Sequence, residues 1–381
     1  MTLTRLQTQA NALKTWVSDI ALPFWAEAGR DSRSGWYEHL NLDRSPDKLA
    51  IRRHRIHARQ VYTYALAEKL GWYPGRVVAV ETFQFMTHYG HVVDDKAGFI
   101  HLLKPDLTVQ DDTRDLYDHA FYLFACASLF SIGEEKLAHK TLSAITDYIN
   151  TSLTSEFGGW RESNLDKLPR RQNSHLHMFE AAMAWMDISD NSIWRNYADE
   201  VFSLFEKHFY DPEHQIVREF FNMDWSRVEG PKGETVEPGH GAEWVWLLRQ
   251  YESRTGINTS RYADSLYEMV LKYPSKFLND EEDIARNVRR DSKRLWCQTE
   301  LIKAHLAQAE FGNNNAITRA SKSVDGFYET YLTSDGVWVD QINSEGEPIA
   351  PTIPVSTFYH VICMITELCR VTDLLSEKVK A

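Results

Sequence analysis

The sequence predicts an all-α fold, a ring of six helix pairs around one polar pocket, and three observations predict it. Six apolar helical runs, spaced almost evenly, begin with polar or ionisable side chains. Amphipathic runs precede most of them, and short glycine-aromatic strings recur between the two members of a pair. A period of roughly 40 to 70 residues made of helical patterns alone marks a helix-pair repeat.

The inner runs carry the chemistry. They contain Arg59 in His57-Ala58-Arg59-Gln60-Val61-Tyr62, His119 in Tyr117-Asp118-His119-Ala120-Phe121, and His177 in Asn173-Ser174-His175-Leu176-His177. Glu243 follows in Pro238-Gly239-His240-Gly241-Ala242-Glu243-Trp244, then Gln298 in Leu295-Trp296-Cys297-Gln298, then His360 in Phe358-Tyr359-His360. The successive separations are 60, 58, 66, 55 and 62. Outer helices with an ordinary amphipathic pattern are read at 6–24, 75–89, 134–153, 193–208 and 262–273. The strings Gly35-Trp36-Tyr37, Gly98-Phe99-Ile100, Gly159-Trp160-Arg161 and Gly336-Val337-Trp338-Val339 supply a turn and alternating apolar residues, so short strands or hairpins are expected there. With every connection on one rim, the inner helices all start at the same mouth, and their positive dipole ends favour negative charge that develops there. The alternative is a helical array whose loop tryptophans and caps do no chemistry.

The chain of 381 residues is 43% apolar and 12% aromatic, ample for one large core, and no Pro/Gly/Ser linker divides it. One domain spanning 1–381 is expected. A net charge of −12 argues against nucleic acid, because the cluster Arg52, Arg53 and Arg55 has no counterpart large enough to make a basic face. Residues 1–21 are amphipathic and charged, unlike a signal peptide, and the longest apolar run, 120–130, is too short to span a bilayer. Cys126, Cys297, Cys363 and Cys369 lie inside apolar helical patterns and read as reduced core residues. A cytoplasmic monomer or homodimer without membrane partners is the expectation.

The phrases from Asn173 to Ala181, Pro238 to Trp244, Trp296 to Glu300 and Tyr359-His360 resemble the N-acylglucosamine 2-epimerase superfamily, across essentially the whole chain and in order. The resemblance implies an (α/α)6 barrel and a sugar isomerase or epimerase that needs no metal or other cofactor. It makes His240 and His360 an acid/base pair, with His360 serving C2 of the sugar and His240 serving C1. Glu243 would orient and charge-balance His240, and Arg59 would hold the carbonyl oxygen. His177 and Asn173 would bind hydroxyls and help open the sugar ring, while Tyr117 and Trp296 would shape the site. The frame Arg55-Ile56-His57-Ala58-Arg59 departs from the Trp-x-Gln-x-Arg frequent in epimerase branches and looks more like the monosaccharide isomerases acting on mannose.

The chemistry agrees with the residue types. Moving a carbonyl between C1 and C2 removes a weakly acidic proton and returns it elsewhere through an enediol, and histidine can hold either protonation state near neutral pH. His240 stands at a helix start, where the dipole favours the neutral ring, while Glu243 one turn on favours the charged one. His119, also counted among the substrate-binding candidates, reads with His175 and His305 as a core histidine. His177, His240, Glu243 and His360 could in principle hold a metal, but no close His-x-x-x-His pair supports one. Mannose–fructose isomerisation leads. A 2-epimerase acting on cellobiose, mannose or N-acylglucosamine comes second, an inverting glycoside hydrolase would need a second carboxylate across the cleft, and a non-catalytic scaffold would bind without turnover. The polar stretch 221–236, just before His240, is either a lid at the mouth or a static loop.

Overall fold

The structure is a computed structural model and describes residues 2–91, 97–272 and 276–380. Its first outer helix runs from α1 (Thr2–Thr15) through a π-helical turn into α2 (Leu22–Ala28) and is followed by α3 (Arg55–Lys69). Five further pairs follow: α4 (Arg76–Gly90) with α5 (Leu116–Phe130), α6 (Glu135–Tyr148) with α7 (Gln172–Met186), and α8 (Ser192–Leu204) with α9 (Pro238–Thr255). Then come α10 (Ser260–Leu271) with α11 (Leu295–Glu310), and α12 (Asn314–Tyr331) with α13 (Phe358–Lys380). Each odd-numbered helix from α3 onward packs on the next, and α13 returns to α3, so the inner ring closes. The fold is an (α/α)6 barrel, as expected. Of the outer helix read at 262–273, the last position lies outside the described residues.

The two layers differ for a physical reason. Inner helices such as α5 and α11 are buried nearly all round, whereas α6, α8, α10 and α12 bury one stripe and wet the other face. One continuous apolar cluster fills the space between the layers. No helix among the described residues is long and apolar enough to cross a membrane. The four cysteines are unbridged, with Cys126, Cys297 and Cys363 buried and Cys369 half-buried. Arg52, Arg53 and Arg55 are each matched by a carboxylate, from Asp31, Glu38 and Asp118 respectively.

The connections form a belt of antiparallel strand pairs at the mouth. His39–Asn41 pairs with Thr352–Pro354, joining the first connection to the last, and similar short pairs link most of the neighbours between. Beneath the belt a polar contact repeats. The backbone N–H groups of Trp36, Phe99 and Trp160 donate to Nε2 of His57, His119 and His175, at 3.1, 3.0 and 3.1 Å, and Leu278 donates to the Gln298 amide oxygen at 2.8 Å. These side chains face outward and tie α3, α5, α7 and α11 each to its own connection. The glycines make room for them: at Gly159, with φ +63°, a Cβ would stand 2.6 Å from a Leu204 methyl and 2.9 Å from His175 Nε2. Gly159→Ala should therefore cost on the order of 1–3 kcal/mol, read as a lower urea midpoint, while turnover per folded molecule stays unchanged.

A second repeat lies two residues further along three of these connections and in the connection before α9. Glu38, Glu162, Glu219 and Asp280 accept the backbone N–H groups of Arg53, Arg171, Glu237 and Arg294, where the inner helices begin. A carboxylate there satisfies an otherwise orphan donor and complements the helix dipole.

Within the stretch 221–236, Phe221 and Arg227 bridge to close a tight hairpin whose tip is anchored, while Thr235 and Val236 pair with Asp283 and Glu282. Trp225 is 1% exposed, its indole N–H donates to the Gly158 carbonyl at 3.0 Å, and Arg170 stacks on its ring. None of the residues lining the mouth cavity belongs to it.

Candidate active site

The inner-helix starts and the belt enclose a cavity of about 300 Å³. Eight of the nine expected side chains line it: Arg59, Tyr117, Asn173, His177, His240, Glu243, Trp296 and His360. His119 does not. It is fully buried on the opposite face of α5, with Nδ1 against the Asp115 carbonyl at 2.7 Å and Nε2 taking the Phe99 N–H, so neither nitrogen is free for a sugar. Helical geometry explains the split, because positions two apart point about 200° from each other. His57, His119, His175 and Gln298 fall in the outward register, and Arg59, Phe121, His177 and Glu300 in the inward one.

Arg59 is fixed on three sides. It donates to the Tyr117 hydroxyl at 2.7 Å and to the Ser356 carbonyl at 3.3 Å, and its guanidinium stacks on Phe121 at 4.3 Å. Trp296 stands between the two expected proton carriers, its ring centroid 5.1 Å from His240 and 5.7 Å from His360. The carbonyl oxygen of the Asn173 side chain is buried without a partner among the described residues, an acceptor left for a bound hydroxyl.

Each pocket histidine is held through Nδ1 by a carboxylate. His177 meets Glu180 at 3.2 Å, His240 meets Glu219 at 3.0 Å, and His360 meets Glu300 at 3.0 Å. With Nδ1 so engaged, Nε2 is the nitrogen left for chemistry. The expected pairing of His240 with Glu243 is thus corrected. Glu219, from the connection before α9, orients the ring, while Glu243 lines the cavity with no side-chain hydrogen bond found for it among the described residues. Burial and the neighbouring Glu300 raise the Glu243 carboxyl well above its usual range, which favours its protonated form.

The two central histidines are pushed in opposite directions. Burial alone would lower both. At His240 the carboxylates of Glu219 and Glu237 outweigh burial and raise the ring to about 9. At His360 burial wins over Glu300, with Arg59 and Lys303 adding to it, and the ring lies below its usual value. Burial likewise lowers His177 to about 4 in spite of Glu180. Lys303 lies 2.7 Å from the Glu300 carboxylate and, against burial, helps hold that group down to about 2. Near neutral pH the cavity therefore holds an imidazolium at His240 and a free base at His360. Glu219, Glu237 and His240 also come within 4.8 Å of one another, as a cation site would. Arg294 already stands 3.1 Å from Glu237, and the His240 proton supplies the remaining positive charge.

The sign of the pH response follows. With His360 as the base and His240 as the acid of a proton transfer, activity should rise as pH passes the lowered His360 value and fall as pH passes about 9. Glu219→Gln removes the largest stabilising charge on His240, so the alkaline limb should move to lower pH while the acid limb stays. An unmoved alkaline limb would remove Glu219 from this role.

The chain matches the model of the N-acylglucosamine 2-epimerase family over residues 35–364. The chain belongs to this family. It is 31% identical to the mannose-6-phosphate isomerase of Rhizobium meliloti (strain 1021) over 385 aligned positions, covering 95% of this chain and 97% of that one. A further 31% identity over 163 positions, 38% of this chain and 39% of the other, relates it to the D-mannose isomerase of Thermobifida fusca. The cellobiose 2-epimerase of Spirochaeta thermophila superimposes with a TM-score of 0.86 at 21% identity, over 97% of this chain and 98% of that one, which establishes the shared barrel. Family membership makes the chain a sugar isomerase or epimerase.

Glu180, Glu219, Glu300 and Lys303 were not assigned roles from the sequence. Three of them had a local signal, since Glu180 follows His177 by three positions and Lys303 follows Glu300 by three, the spacing of side chains that meet on one helix face.

Proposed function

We propose that this protein interconverts mannose and fructose through a cis-enediol, with His360 as base at C2 and His240 as acid at C1. The observation that carries the reading is the opposed charge of two histidines on either side of Trp296, since one neutral and one protonated imidazole are what a proton shift between adjacent carbons needs. Neutral His360 takes the C2 proton as the C1 carbonyl becomes an enediolate, the hydroxyl proton passes from O2 to O1, and the His240 imidazolium delivers a proton to C1 as the carbonyl re-forms at C2, after which both rings regain their starting charges by exchange with solvent. Arg59 faces the negative charge that builds on oxygen. His177, with Nδ1 committed to Glu180, presents Nε2 to the anomeric hydroxyl for ring opening, and Asn173 accepts a sugar hydroxyl.

Charge balance favours a free sugar over a phosphate ester. Of the arginines that line the cavity, Arg53 is paired with Glu38 and Arg294 with Glu237 and Asp280, which leaves Arg59. Glu237 and Asp340 line the same cavity and would repel a dianion. Mannose should accordingly be turned over with a higher kcat/KM than mannose 6-phosphate at equal ionic strength. Preference for the phosphate ester would overturn this part of the reading. No step calls on a Lewis acid, so dialysis against a chelator should leave the rate within about twofold, well short of the loss expected when a catalytic metal is removed.

A further inference from the structure

α10, α11 and α12 leave between them a second cavity, of about 280 Å³, which shares no lining residue with the site described above. Its floor is apolar, formed by Val270, Leu278 and Leu301. Lys276, Arg319 and Lys322 line it as well, and no carboxylate does so among the described residues. In a chain of net charge −12 this is a local reversal of sign. No ion pair is found for Arg319 or Lys322 among the described residues, and Lys276 meets Glu329 only at 3.7 Å across an exposed surface.

Two buried features point into the same space. His305, on α11, is 4% exposed and lines the cavity, with its Nδ1 2.8 Å from the Tyr267 hydroxyl. When that hydroxyl donates, Nε2 carries the hydrogen and is the donor left for a ligand. Burial, with Arg319 adding to it, holds the ring down to about 3, so it stays neutral and asks for no counterion of its own. The second feature is Gly326, inside α12, where a glycine costs about 1 kcal/mol of helix stability relative to alanine. A Cβ there would stand 2.0 Å from Lys276 Cε and 2.8 Å from its Nζ. The glycine lets the lysine lie across the helix with its ammonium at the cavity.

We propose that this cavity binds a small phosphate-bearing anion, held by Arg319, Lys322 and Lys276 with the His305 imidazole beneath them. Three cations around a pocket with a neutral N–H donor in its wall match the several acceptor oxygens of a phosphate better than they match a single carboxylate. The same helix, α11, carries Trp296 of the catalytic cavity at its N-terminal end.

The test is calorimetric titration of the full chain with inorganic pyrophosphate and, separately, with mannose 6-phosphate, at matched ionic strength. Saturable binding is expected for at least one of them, and the comparison tells inorganic phosphate from a sugar ester. Both α12 side chains are exposed, so Arg319→Ala/Lys322→Ala should fold, and it should weaken that binding by about tenfold or more, the scale of losing charge-assisted hydrogen bonds. Gly326→Ala displaces Lys276 without changing net charge and should weaken binding by a smaller factor. Absence of saturable binding of either probe, or affinities unchanged in both variants, would overturn the proposal.

Discussion

His360→Ala should lower turnover of mannose by at least about a hundredfold, the usual contribution of a positioned acid or base, with the fold retained. His240→Ala should do the same. The two losses have different signatures because the rings hold opposite charge at neutral pH. Without His360 the acid limb of the pH profile disappears, since no neutral base then titrates at C2. Without His240 the alkaline limb near 9 disappears. Small buffer imidazoles should restore part of the rate at the vacated position. Near-normal activity in either variant would remove that residue from the pair.

Arg59→Lys is expected to cost nearly as much, on the order of a hundredfold to a thousandfold in kcat, the range seen when a preorganised donor to a developing oxyanion is lost. Net charge is unchanged by this substitution. What changes is the fork: Arg59 bridges the Tyr117 hydroxyl and the Ser356 carbonyl while its plane lies on Phe121, and its Nε is buried with no protein partner. An ammonium cannot stack as a plane or keep two parallel donors on one oxygen-rich edge. A modest loss confined to KM would mean that Arg59 only holds substrate, and the enediolate charge would have to be met by another group.

The barrel was legible because its determinant is periodic. Apolar runs about sixty residues apart, most of them preceded by an amphipathic partner, leave few arrangements other than stacked helix pairs. Register within a run was less legible. His119 and Arg59 stand at similar distances along their repeats, yet a difference of two residues turns a side chain from the cavity to the outer layer, and connections of unequal length hide such a difference from a count of spacings. Glu219 was hidden for another reason. It belongs to the series Trp36-Tyr37-Glu38, Trp160-Arg161-Glu162 and Trp338-Val339-Asp340, an apolar residue with an acid two positions on, but its own string, Val217-Arg218-Glu219, lacks the glycine and the aromatic ring. The residue that caps a helix start in the other repeats here also reaches back to His240. Glu243, three residues after His240 in sequence, was the nearer guess, and burial beside Glu300 gives it a different state.

The measurement that bears most directly on the central claim is proton NMR of mannose incubated with the enzyme in deuterated water and stopped before equilibrium. Transfer by His360 at C2 and delivery by His240 at C1 predicts fructose as the main product, carrying one solvent deuterium at C1. Glucose as the main product, with deuterium at C2, would contradict it and make the protein a 2-epimerase.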